Sequence, residues 1–149
     1  MNKDAGRGSW LMVTVRLENG QKLPMVVDTG SPATCFDTNL ATVLGKRLDT
    51  GTFWNFGRKH KIGVYAAPRL YWDGTPLKMT GTNVLAGNFI SQLSPDAERP
   101  VMGILGMDVL GHYCLQLDFK RGKMRFLDDQ RAVGKDWGKP FPLTDVGDG

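Results

Sequence analysis

The sequence predicts a mainly β domain, sandwich or barrel-like, and three observations lead there. Short apolar runs recur at close spacing along most of the chain. Asn19-Gly20 and Asp73-Gly74 supply tight turns between pairs of them, and helix signals are confined to two brief segments, 38–44 and 107–111.

Residues 10–17 partly alternate between apolar and polar through Leu11, Val13, Val15 and Leu17, and 23–27 read as the strand returning from the Asn19-Gly20 turn. Strand character resumes over 33–36, after which Asp37 or Thr38 can start a short helix that Gly45 stops. Residues 52–65 place Phe53, Trp54 and Phe56 ahead of a basic tip, Arg58-Lys59-His60-Lys61, and are expected to form an exposed hairpin. Aromatic side chains displayed in this way commonly serve binding. A further hairpin is expected from 70–72 and 77–79 across Asp73-Gly74, followed by a short strand at 83–86 and a polar, Pro-bounded loop at 91–100. Residues 101–105 form an apolar run of the buried type, and 115–119 should pair with 124–127 across Lys120-Arg121-Gly122-Lys123. A Gly-, Pro- and Asp-rich tail follows, with Trp137 and Phe141 as candidate anchors. The expected organisation is a flexible segment 1–9, one domain over 10–127 and a C-terminal extension 128–149.

With 149 residues, 41% of them hydrophobic, the chain can bury one core and has little room for two. The net charge of +4 is spread through turns, which does not point to nucleic acid, and solvated charge is the default reading of both basic turns. Cys35 and Cys114 lack the spacing of a zinc site and are too few for a disulfide scaffold, so buried free thiols are expected. No apolar run approaches the roughly 18 residues of a membrane span, and the first nine residues do not resemble a signal peptide. A soluble domain without a membrane partner is expected. Its compartment is not indicated, and the polar ends are compatible with a domain cut from a longer exported or anchored protein.

Chemistry concentrates at Met25-Val26-Val27-Asp28-Thr29-Gly30-Ser31, an apolar strand ending in a tight turn with one carboxylate. Asp-Thr-Gly recurs at Asp49-Thr50-Gly51, so the triplet alone is weak and at least one copy is expected to be a plain turn. Context favours Asp28, which lies between two apolar runs inside the body. Asp49 follows Lys46-Arg47 on a surface approach. Gly30 would let the backbone turn with unusual dihedrals and approach a neighbour closely. Thr29 offers a hydroxyl that can bond across to another loop, and Ser31 one that can donate to Asp28. His60 and His112 have no nucleophile or ligand set near them in sequence and are read as structural or surface residues.

Val26-Val27-Asp28-Thr29-Gly30-Ser31, taken with Ile104-Leu105-Gly106-Met107-Asp108-Val109-Leu110, resembles the signature pair of the retropepsin-like aspartic proteases. The resemblance covers roughly residues 10–127. It implies a closed, barrel-like single lobe in which the apolar-apolar-Gly segment packs beside the catalytic turn and is followed by a short helix. A flap hairpin, here the aromatic one, is implied between the two motifs. Asp28 would be catalytic, Thr29, Gly30 and Ser31 would support its turn, and Ala33, Cys35, Trp54, Asn55, Phe56 and Gly57 would contact substrate. Trp54 and Phe56 have an equal claim as packed β-face residues. Asp108 falls where that family has a structural helix-start residue, which reads as a cap. The long 91–100 loop, the segment after 124 and a flap more basic and less Gly-rich than in the shortest viral members depart from the pattern.

One lobe supplies one catalytic carboxylate, and acid/base hydrolysis requires two. The resemblance therefore implies a homodimer, Asp28 of each chain meeting on a two-fold axis, with peptide or unfolded protein as substrate and no metal or organic cofactor. Two other readings compete. A peptide-binding or dimerisation module of the same fold would bind peptides regardless of Asp28 and cleave none, and a basic β-barrel for nucleic acid would bind oligonucleotides in a salt-sensitive way.

Overall fold

A computed structural model of the chain describes residues 10–55, 57–93, 100–118 and 120–127. The expectations for 1–9, Phe56, the body of the 91–100 loop and the tail with Trp137 and Phe141 lie outside the described residues.

β1 (Met12–Leu17) and β2 (Lys22–Val27) form the expected first hairpin, with Gly20 at φ 84° in its turn. Val13, Val15 and Leu17 are buried while Thr14 and Arg16 are exposed, the period-two signature of a half-buried strand. β3 (Cys35–Asp37) runs into a 3₁₀ turn, Thr38–Leu40, and a single helical turn α1 (Ala41–Leu44). Asp37 starts this segment, its Oδ1 accepting the Asn39 N–H at 2.8 Å, and Gly45 ends it at φ 87°. Both stops are as the residue types dictate.

The aromatic hairpin is longer than expected: β4 (Arg47–Asn55) pairs with β5 (Arg58–Ala66), and Asp49-Thr50-Gly51 lies inside β4. The second Asp-Thr-Gly is therefore strand, held by pairing to Val64, Gly63 and Ile62 and preceded by an irregularity in the ladder. β6 (Leu70–Trp72) and β7 (Thr75–Pro76) flank Asp73-Gly74, both at positive φ, with β7 ending short of the expected 77–79. β8 (Asn83–Gly87), a 3₁₀ turn Ile90–Leu93, β9 (Gly103–Leu105) and α2 (Met107–Leu110) follow. β10 (Cys114–Asp118) and β11 (Lys123–Leu127) make a separate two-stranded sheet. Its turn is held by Asp118, which accepts the Arg121 N–H at 2.9 Å, so Arg121 is paired rather than merely solvated. That backbone bond, ahead of the Arg121 side chain, also holds the Asp118 carboxyl below its usual range.

Among the described residues the strands order as β4-β5-β8-β3-β9-β2-β1-β6-β7 in one mainly antiparallel sheet. The expected closed barrel is not formed, because β4 and β7 stand at opposite ends without a ladder between them. Closure needs a continuous ladder, and β7 is two residues long with Pro76 lacking a donor.

β9 sits between β2 and β3, parallel to the first (Val26↔Ile104) and antiparallel to the second (Cys35↔Ile104). A Cβ on Gly103 would lie 2.6 Å from the Cys35 carbonyl oxygen, so only glycine lets β9 enter. Alternation along these central strands feeds two cores. Met25, Phe36, Tyr65 and Leu105 belong to one; Val26, Cys35, Ile62 and Ile104 belong to the other, against which Phe53 of β4 packs.

Candidate active site

The turn after β2 is fixed by the segment after β9. The Asp28 N–H donates to the Leu105 carbonyl at 3.1 Å, and the Met107 N–H to the Ser31 carbonyl at 2.8 Å. Thr34, fully buried, donates its N–H to Asp108 Oδ2 at 2.9 Å and its hydroxyl to Asp108 Oδ1 at 2.7 Å, while its Oγ1 accepts the Gly106 N–H at 3.2 Å. Gly106 is pressed against the turn so closely that a Cβ there would sit 2.6 Å from the Ala33 carbonyl carbon and oxygen. Residues 28–34 are thereby clamped by 105–108, a juxtaposition that the two sequence motifs anticipated.

Asp108 does not act as the expected cap. The N-cap of α2 is Gly106, without a side-chain bond, and Asp108 instead ties α2 to Thr34, 74 residues earlier, besides accepting the Val109 N–H at 3.0 Å. Sequence reading missed this role because Thr34 gives no local sign of its partner. A buried threonine in a polar turn needs one, and that is the only signal available.

Within the turn, Asp28 is half-buried and its Oδ1 accepts the Gly30 N–H at 2.8 Å. Gly30 does not adopt a positive φ. It provides room instead, since a Cβ would lie 3.2 Å from Asp28 Oδ1. Ser31 does not reach Asp28; its hydroxyl donates to the Ala33 carbonyl at 2.8 Å, closing the turn on itself. Thr29 and Gly30 are exposed and Ser31 is buried.

The candidate substrate residues separate. Ala33 is half-buried against Gly106. Cys35 is 1% exposed with its Sγ 3.8 Å from the Phe36 carbonyl, and all three residues of β3 are buried, Phe36 in one core and Cys35 in the other, so the thiol lies inside the body and not in an open groove. Trp54 is 67% exposed, which excludes a packed β-face role, and Gly57 closes the hairpin at φ 72° beside the Asn55↔Arg58 pair. Phe53, expected among the aromatics displayed on the hairpin, instead stacks on Phe89 with centroids 5.5 Å apart, and His60 lies against the same ring at 5.0 Å. His60 is thus structural, as is His112, whose Nε2 is 2.9 Å from Thr80 Oγ1.

Burial, and secondarily the charge of Asp37, pushes the Cys35 thiol up to about 12 against an opposing backbone bond from Gly87. Cys35 should therefore resist thiol reagents at pH 8 until the chain unfolds, as counted by reagent uptake with and without denaturant. Because the folded value lies above the ordinary 9.0, this thiol's contribution to stability is intact below pH 9 and declines between 9 and about 12.

No family model and no curated protein matches the chain. Among solved structures it is similar to the EIAV protease complexed with the inhibitor HBY-793, with a TM-score of 0.49 and 18% identity over 71% of this chain and 89% of that one.

Every other described acidic side chain has its own setting. Asp37 caps the 3₁₀ turn, Asp49 accepts the Thr50 N–H on exposed β4, Asp73 occupies a turn at φ 46°, Asp108 braces Thr34, Asp118 holds Arg121 and Glu18 pairs with Arg69. Among the described residues, none of these settings joins Asp28.

Proposed function

We propose that the chain is an aspartic endopeptidase, active as a homodimer, in which the Asp28 carboxylates of two copies activate water for peptide hydrolysis. The observation that carries this reading is the clamping of the Asp28 turn by Leu105, Gly106 and Asp108, which holds one half-buried carboxylate on a rigid frame. Rigid placement of the reacting group is what acid/base catalysis requires. The exposed Thr29 and Gly30 beside it leave the turn open to a second copy.

In such a dimer two carboxylates within a few Å share one proton and titrate as a pair. The ionised Asp28 takes a proton from water as it attacks the peptide carbonyl, and the protonated partner donates a hydrogen bond to the developing oxyanion. Transfer of a proton to the amine nitrogen then releases the product. The bond order of the peptide falls as the C–O bond forms and the C–N bond breaks, with no net redox change. Substrate would lie extended, pairing its backbone beside the hairpin, with Ala33, Trp54, Asn55, Phe56 and Gly57 proposed as its contacts.

The test is cleavage of an unstructured protein across pH 3–8 by material whose mass in solution is measured in parallel. The expected result is a bell-shaped profile with specific activity that falls on dilution as dimers dissociate. A strictly monomeric species that cleaves at undiminished specific activity sinks the dimer reading. A dimer that binds peptides but cleaves none at any pH favours the non-catalytic module.

A further inference from the structure

The β4–β5 hairpin has two faces. On one, Phe53 and His60 turn toward Phe89 and the core that contains Val26 and Ile104, where Ile62 also packs while bordering the groove on the other side. The period-two alternation puts Arg47, Thr50, Thr52, Lys61, Gly63 and Tyr65 on the other. There they line a groove of about 520 Å³ that the body closes with Thr38 and Ala86.

Three features mark this groove as a site. Arg47 and Lys61 have no acidic partner among the described residues, and Asp49 and Asp37, the nearest acids in sequence, are engaged by the Thr50 and Asn39 N–H groups. Tyr65 is 8% exposed and lines the groove, yet among the described residues its hydroxyl has no hydrogen-bond partner. Buried hydroxyls are rarely left without one. Gly63 explains how the tyrosine and arginine come together: a Cβ there would lie 2.7 Å from Tyr65 Cε2, 3.1 Å from its hydroxyl and 3.2 Å from Arg47 Cδ. The missing side chain lets both lie across the strand.

A guanidinium, an ammonium and a phenolic O–H lining one groove with no acid among its lining residues suit a carboxylate. β4 adds a second element of recognition, since it is the end strand of the sheet and no strand pairs with its outer edge among the described residues, although the Thr50 N–H is taken by Asp49 Oδ1. We propose that this groove binds an acidic peptide segment, extended along the free edge of β4, with a carboxylate held by Arg47, Lys61 and the Tyr65 hydroxyl. The site lies on the opposite face of the hairpin from Phe53 and His60 and does not depend on the peptidase reading.

The test uses the full chain and a blocked eight-residue peptide of alternating Glu and Ser, followed by amide chemical shifts and titration calorimetry. Expected are saturating shifts at Thr50, Gly51, Lys61 and Gly63, and affinity lowered about tenfold or more in R47Q/K61Q and about fivefold in Y65F. Raising salt from 50 to 300 mM should weaken binding. Thermal unfolding checks that the variants fold, and the exposed R47Q/K61Q pair keeps the test decisive where Y65F disturbs the core. Equal affinity for the Gln/Ser peptide overturns the carboxylate assignment. Equal affinity for glutarate overturns the extended-peptide assignment, and the absence of groove shifts overturns the site.

Discussion

Asp28→Asn is expected to lower cleavage of an unstructured protein by about 10²–10⁴-fold, the range of a lost general acid or base, with little change in fold. The substitution keeps an oxygen where Asp28 Oδ1 now accepts the Gly30 N–H, and the Asp28 backbone bond to Leu105 is untouched. Only the capacity to take up and return a proton disappears. Circular dichroism and thermal unfolding should match the parent within experimental error, and the dimer should persist by sedimentation. Mixing the variant in excess with the parent makes the result sharper. If both carboxylates of a dimer are required, mixed dimers are inactive and activity falls faster than simple dilution allows. Cleavage that survives in the pure variant removes Asp28 from the mechanism.

The second large effect belongs to Asp108. Asp108→Ala strips the acceptor from both the N–H and the hydroxyl of Thr34, which is fully buried. Two bonds to a charged group are lost and their donors stay desolvated, so a loss of about 2–4 kcal/mol is expected, read as a drop in melting temperature of about 5–15 °C. Pairing it with Thr34→Val in a double-mutant cycle should give a coupling of about 1–3 kcal/mol. A merely destabilised protein regains full turnover when cooled. A displaced catalytic turn does not, and its loss falls on kcat rather than KM. A fully active, equally stable Asp108→Ala protein would show that the brace is dispensable.

Local chemistry in the sequence was sufficient for elements made within a short span. Asn19-Gly20 between alternating strands gave the first hairpin, and Asp37 and Gly45 bounded the segment between β3 and β4. What failed depended on partners far away. Cys35 resembled a site residue because it follows the Asp28 turn closely, but β3 sends Phe36 into one core and Cys35 into the other, and alternation cannot assign a solvent face to a strand buried on both. Asp49-Thr50-Gly51 looked like a turn until β5 extended it as a strand. Asp108 looked like a cap because its i+1 neighbours are visible in sequence, whereas Thr34 is not. Ser31 found a nearer acceptor in Ala33 than in Asp28. Closure of the barrel depended on two edges, and no local pattern says whether edges meet.

The insertion of β9 between β2 and β3 also orders events in time. The Asp28 turn leaves the ribosome long before Gly106 and Asp108, the residues that brace it, and bonds spanning 72 and 74 positions are among the slowest that a domain of this size can close. A nascent or truncated chain ending before β9 carries the carboxylate without its frame. Bracing of the Asp28 turn therefore waits on nearly the whole domain, so under the proposed function an incomplete product is silent rather than promiscuous.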